Sequence, residues 1–363
     1  AGPSPSELEL LRAAVLPPSR AEAAWWRWRA SHDPDTPNAF AAALLPAVAT
    51  HLDADRLGAD AALLRRLRRS AWVDVEFKLQ MLDAAHDALT AAAIEPIVVK
   101  GAAVVTREEP RRGARTFDDV DIVVDADRLP EACDALEAVG WTTSDEFRAR
   151  VGTGSGLHAI PYTSPDGLPV DVHRWVLFPR FSPVPDSAWF ERAETFVWNG
   201  RRMRRLQVAD EVVLAIVHGI LTVSRSSARW PLDVVALTRG QDDACWDAIV
   251  RSASEARVAR VVGAGLALCA RELDVELPDG TLDRLSAAAT RSERLRLVAA
   301  RRGAPVSGKF VAYSRVRRAN GQIPNPFAYA AIRWRRLRRR RFADIVGKRW
   351  AKARTRLVDS RRP

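Results

Sequence analysis

The sequence predicts an α+β protein: a small mixed-sheet core over 95–207, with a helical segment over 1–94 before it and a helical bundle over 208–302 after it. Three observations point there. The short β-rich runs, Ile97-Val98-Val99, Val120-Asp121-Ile122-Val123-Val124 and Val170-Asp171-Val172-His173, lie close together in the middle of the chain. The turn chemistry that joins strands, Ser164-Pro165-Asp166-Gly167 and Asn199-Gly200, lies among them. On either side the apolar residues instead recur at helical spacing, as in Val75, Leu79, Leu82, Ala85 and Leu89.

In order, 6–16 reads as a short amphipathic helix stopped by Pro17-Pro18. The next helix, 21–30, packs Trp25, Trp26 and Trp28 against the body. Helical patterns continue over 38–54, 59–69 and 72–93, and His86 on the last is expected to be a satisfied boundary histidine. A strand at 97–99 breaks at Gly101 into a helix over 102–108. Another helix, 129–139, ends on Gly140 as its C-cap, and Trp141-Thr142-Thr143 starts a strand. The Gly152-Thr153-Gly154-Ser155-Gly156 run lacks the lysine and flanking elements of a phosphate loop and reads as a flexible connection. A short helix at 186–193 and a hairpin over 195–206 close the sheet region. Beyond it come helices at 210–223, with Asp210 as N-cap, 230–238, 245–254, 256–273, 280–288 and 292–302.

Of the 363 residues, 47% are apolar and 28% charged, an ordinary globular balance with ample core. Three scattered cysteines, Cys133, Cys245 and Cys269, fit neither a disulfide frame nor a zinc knuckle, and suit a reducing cytoplasm. No apolar run approaches the ~20 residues of a membrane span. The net charge of +11 is concentrated: residues 331–363 hold twelve Arg and two Lys against two Asp, which leaves the rest near neutral. Residues 303–326 read as a linker. In the tail over 327–358, Phe342, Val346, Trp350, Ala353 and Leu357 form an apolar stripe among basic residues. Such a helix suits an anionic membrane surface, peripheral to the inner face, or nucleic acid.

The chemistry centres on the first strand and the acids that follow. Gly101 at a strand-to-helix turn aims backbone N–H groups at a bound anion, favouring phosphate. Strand parity puts Asp119 and Asp121 on one face and Val120, Ile122 and Val124 on the other. Two carboxylates roughly 7 Å apart repel unless a cation sits between them. Hard oxygen ligands at that spacing suit Mg²⁺, completed by substrate phosphates. A hairpin delivers a third acid, Asp171, with His173 on the same face. A lone Asp-x-Asp is common and often caps a turn; the glycine turn, the parity and the Asp171 hairpin set this one apart. The layout is that of two-metal phosphoryl or nucleotidyl transfer.

Gly101, then Asp119-Val120-Asp121, then Asp171 resembles the polymerase-beta-like nucleotidyltransferase superfamily. More narrowly, Lys100-Gly101, Arg115, Asp119-x-Asp121 and Val170-Asp171-Val172-His173 resemble a bacterial group of uncharacterised nucleotidyltransferases. His218-Gly219 and Arg229-Trp230-x-x-Asp233 extend the likeness into its helical region. The superfamily's glycine is usually followed by serine; here Ala102 follows, so Lys100 or Arg115 takes over the hydroxyl's contact. The resemblance implies a nucleotidyltransferase core and transfer of a nucleoside monophosphate from an NTP, ATP foremost, to an acceptor hydroxyl or phosphate. Asp119, Asp121 and Asp171 are the expected catalytic and metal-binding residues, holding two Mg²⁺ ions or Mn²⁺ in their place, with Asp171 also the base. Lys100, Gly101, Ala102, Arg115 and His173 are the expected nucleotide-binding residues. The alternative is a catalytically inactive binding module that works through its basic tail.

Overall fold

The computed structural model describes residues 3–107, 112–151, 158–178, 186–221, 229–291 and 293. The glycine run, the linker, the basic tail and nearly all of the helix expected at 292–302 lie outside those residues.

The first helix, α1 (Pro5–Val15), opens on a capping box: the Ser4 hydroxyl accepts from the Glu7 amide while the Glu7 carboxylate accepts from the Ser4 amide. Helix α2 (Pro18–Arg29) starts on the second proline, and Asn38 caps α3 (Ala39–His51). A short α4 (Ala54–Leu57) leads into α5 (Ala61–Ala91), one helix of 31 residues where the sequence suggested two. No Gly or Pro interrupts its ladder near Ser70. Leu64, Ala71, Val75, Leu79, Leu82 and Leu89 carry one buried stripe across the expected break.

The chain then enters the sheet with β1 (Ile97–Val99), followed by α6 (Lys100–Arg107) and β2 (Val120–Val123). Helices α7 (Leu129–Ala138) and α8 (Asp145–Arg148) lead to the hairpin of β3 (Ala159–Thr163) and β4 (Pro169–His173). After α9 (Ser187–Arg192) a second hairpin, β5 (Glu194–Trp198) and β6 (Arg201–Arg205), turns at Asn199 and Gly200. Both turn residues have positive φ, 46° and 77°, as a type I′ turn requires. The strands form one mixed sheet in the order β3-β4-β2-β1-β6-β5. The segment Trp141-Thr142-Thr143 does not become a strand: it adds a single bridge, Thr142 to Thr163, while Trp141 is buried in the core.

Helices α10 (Val208–Leu221), α11 (Trp230–Thr238), α12 (Asp243–Glu255), α13 (Ala259–Leu273) and α14 (Thr281–Ala288) follow. Asp210 is not the cap of α10, which begins two residues earlier. It is fully buried and accepts hydrogen bonds from Arg192, Gln207 and Ser252.

Alternation along the strands splits the core in two. Val98, Val120, Ile122, Val170 and Val172 pack with α5 and α7 on one face. Ile97, Val99 and Val123 face the opposite way, into a core shared by α1–α3 and α10–α14. The expected acids therefore lie on the face covered by α10 and α11. Gly101 allows the turn above them. A Cβ there would lie 2.5 Å from Cβ of Phe117, itself buried under the sheet. Gly101→Ala should cost about 1–3 kcal/mol through overpacking. In a double-mutant cycle with Phe117→Gly, which removes that Cβ, measured by chemical denaturation, the two costs should be clearly less than additive. Additive costs would show that Phe117 is not the reason for the glycine.

Candidate active site

Lys100 stands where β1 ends and α6 begins, with φ +58°. That left-handed conformation costs a lysine roughly 1–2 kcal/mol, so something must hold it. Its Nζ donates to Asp121 Oδ1 at 2.5 Å. Nε2 of His173 lies 2.7 Å from the same oxygen; an ionised carboxylate only accepts, so Nε2 carries the proton. Asp121 is almost wholly buried. Burial alone would raise its pKa, but the Lys100 charge and the His173 hydrogen bond outweigh burial and hold the carboxyl well below its usual range. The cation that the acidic strand calls for is, in the protein alone, its own lysine.

Register supplies the rest. β2 and β4 run parallel with Asp121 opposite Asp171, so the two carboxylates emerge side by side. Asp171 is half-buried; burial, then the charges of Asp121 and Asp119, raise its pKa to about 6. Asp121, Asp171 and His173 each present a ligand atom within 4.8 Å of the others. Asp119 lines the same cleft but lies outside that tight group. It sits in a bend before β2, which begins at Val120, so the strand's pleat does not fix its direction. Burial, then the Asp121 charge, raises its pKa. Gly101 lines the cleft, whereas Ala102 is wholly buried in the core beneath it.

Helices α10 and α11 build the opposite wall. They meet closely at Gly219, where a Cβ would fall 2.0 Å from the Trp230 ring. Between wall and sheet lies a cleft of about 310 Å³, lined by all the expected site residues except Ala102 and also by His218, Arg229, Trp230 and Asp233. Arg115 is gripped by Asp233 through two hydrogen bonds, at 2.5 and 2.9 Å. Arg229 donates to Asp118 at 2.7 Å and to the Thr116 carbonyl at 3.1 Å. These pairs cross from the loop before β2 to α11 and clamp the cleft shut on that side. His218, Arg229 and Asp233, where the family likeness continues into the helices, line the cleft, as do two residues that the sequence did not single out. His158 stacks on Phe178 and meets the His173 ring edge-on. Burial, then its neighbours His173 and Lys100, lower its pKa to about 3. Buried Glu211 faces Arg107 at 3.2 Å, yet burial outweighs that partner and lifts its pKa to about 7. No local motif marks either residue; both reach the cleft only through pairing of distant elements.

The model of a family described as uncharacterised nucleotidyltransferase matches residues 37–274, well beyond the motifs and into the helices on both sides. Among solved structures, the chain is similar to an antigenic nucleotidyltransferase-like protein from Paracoccidioides brasiliensis. The identity is 15%, with 61% of this chain and 94% of that one covered at a TM-score of 0.29, too little shared backbone to bear on function. No curated protein matches the chain.

The two strand acids should behave oppositely in the metal-free protein. Asp121, held down in pKa, adds stability at neutral pH that is lost as the pH falls through its folded-state value. Asp119, pushed up, is destabilising when charged. In EDTA at pH 7, Asp121→Asn should cost about 2 kcal/mol by leaving Lys100 without its charged acceptor. Asp119→Asn should be neutral or stabilising. Equal effects in thermal denaturation would show that Lys100 does not compensate Asp121.

Proposed function

The chain belongs to the uncharacterised nucleotidyltransferase family, and from that footing we propose that it is a Mg²⁺-dependent enzyme transferring a nucleoside monophosphate from an NTP, ATP foremost, to an acceptor hydroxyl or phosphate. The observation that carries this reading is the convergence of Asp121, Asp171 and His173 within 4.8 Å in a cleft that Lys100, Arg115 and Arg229 also line. The donor set fits a divalent cation: two carboxylates side by side on a sheet face, with an imidazole that reaches the same point. Asp121 and Asp171 would hold it, with His173 beside them in its other tautomer and Asp119 as a further carboxylate for a second ion. Mn²⁺ is the natural substitute, since it shares the preference of Mg²⁺ for carboxylate oxygens. When bound, such ions supply Lewis-acid stabilisation of phosphate charge.

The chain's own groups do the rest. Asp171, with its pKa near 6, is largely ionised at neutral pH and can accept the proton of an acceptor hydroxyl. Lys100 and Arg115 stand on the cleft wall to neutralise charge on the phosphates. Before a cation is bound, His173 orients the Asp121 carboxylate through its Nε2–H. α10 and α11 cover this face of the sheet and exclude water from much of it. A nucleoside triphosphate donor implies a cytoplasmic setting.

The test is incubation of the purified chain with Mg²⁺, each of the four labelled NTPs and cell extract, followed by mass spectrometry of whatever gains a nucleotide. Asp121→Asn and Asp119→Asn should each abolish transfer, and turnover retained by either at saturating Mg²⁺ would contradict its assignment as a ligand. Asp171→Asn should lower kcat by about 10²–10⁴, as expected for loss of a base, with a smaller change in NTP affinity. No labelling from any NTP, together with no Mg²⁺-dependent thermal stabilisation by nucleotide, would sink the reading.

A further inference from the structure

We infer that the Lys100 ammonium is an internal counter-ion that occupies the cation position of this site, so that a divalent ion binds only by displacing it from Asp121. The inference rests on the proposed metal site and says how that site is kept before loading. Three observations lead to it. One oxygen of the Asp121 carboxylate is already taken: Oδ1 accepts from Lys100 Nζ at 2.5 Å and from His173 Nε2 at 2.7 Å. The Lys100 ammonium lies 3.4 Å from that same imidazole nitrogen, so it stands against two of the three groups that could grip an ion. The Lys100 backbone is held at φ +58°, a conformation unfavourable to any residue with a side chain, at the junction that aims this side chain into the cleft.

The competition follows from Coulomb's law. An ammonium and a divalent ion cannot both lie within bonding distance of one buried carboxylate oxygen without strong mutual repulsion. One must leave, and the lysine can, because its ammonium is a point charge on a flexible four-carbon stem rooted outside the group. His173 can stay by exchanging its tautomer. Once displaced, the ammonium needs another anion, and a phosphate in the cleft is one. A free divalent ion with no phosphate present must break the Lys100–Asp121 pair without replacing it, so it binds weakly. The arrangement also explains how Asp121 stays ionised while buried in the metal-free protein.

The experiment is a nucleotide-free Mn²⁺ titration of the full chain, read by calorimetry or by the electron paramagnetic resonance of free Mn²⁺. The proteins compared are wild type, Lys100→Met, Lys100→Arg and Asp121→Asn. Lys100→Met should bind Mn²⁺ at least roughly tenfold more tightly, the factor that follows from removing one charge-assisted hydrogen bond. Lys100→Arg keeps the positive charge and should stay near wild type, while Asp121→Asn should bind no Mn²⁺. If Lys100→Met is misfolded by circular dichroism, Lys100→Gly replaces it, since glycine adopts φ +58° without strain and also lacks the ammonium. Unchanged or weaker Mn²⁺ binding on loss of the ammonium, with Asp121→Asn still inactive in binding, overturns the inference and leaves the metal site standing. Wild-type Mn²⁺ binding by Asp121→Asn overturns the site itself and the inference with it.

Discussion

A carboxylate buried as deeply as Asp121 survives ionised only if its charge is met at close range, and much of this structure exists to meet it. Two donors converge on a single oxygen, one from the start of α6 and one from the end of β4. The lysine is rooted at a backbone angle that costs energy, so local strain is spent to aim a charge. Its neighbour Asp119 is pushed toward the neutral form by burial and by the Asp121 charge. The acidic motif is therefore not two equal ligands but one committed anion and one that is electrostatically uncomfortable until further positive charge arrives.

The sheet makes that convergence possible. Parallel pairing of β2 with β4 sets Asp121 beside Asp171, and antiparallel pairing with β1 places Val99, the residue before Lys100, opposite Asp121. A slip of one residue in either pairing would turn the acids into the apolar face that packs on α5 and α7. The valines and isoleucines between the acids enforce the register, since they fill that core. The acid-bearing face and the core face of β2 are thus one constraint seen from two sides.

On the far side, the helical wall is joined to the sheet by paired charges rather than by apolar contact alone. Arg115 with Asp233, and Arg229 with Asp118, bridge the loop before β2 to α11. Each pair keeps an arginine in the cleft while neutralising it, so an incoming phosphate would meet guanidinium groups that are already oriented. Within that wall α10 and α11 approach closely at Gly219 and Trp230. The N-terminal helices contribute from behind: α1–α3 share a core with α10–α14, and Arg12 is paired with Glu272 at the end of α13.

Short-range signals were enough for much of this. Parity along 170–173 put Asp171 and His173 on one face, the Asn199-Gly200 pair set a tight hairpin, and the glycine after 97–99 marked the break into a helix. Each depends on a few adjacent residues whose period or backbone preference is local physics. Tertiary structure decided what locality could not. Whether 59–93 is one helix or two depended on an unbroken buried stripe, and Trp141-Thr142-Thr143 meets the sheet through a single bridge, Thr142 to Thr163. A Cβ on Gly101 would strike Phe117, and Asp210 is a buried anchor rather than a cap. Arg115 bonded to Asp233, His158 against His173 and Lys100 on Asp121 all join residues separated in sequence by between 15 and about 120 positions. The sequence by itself determined which side chains could do the chemistry and which face of each strand would carry them. Only the folded chain decided which charges meet, because the energy of a charge pair depends on its distance and burial, and neither is written in the spacing of residues along a chain.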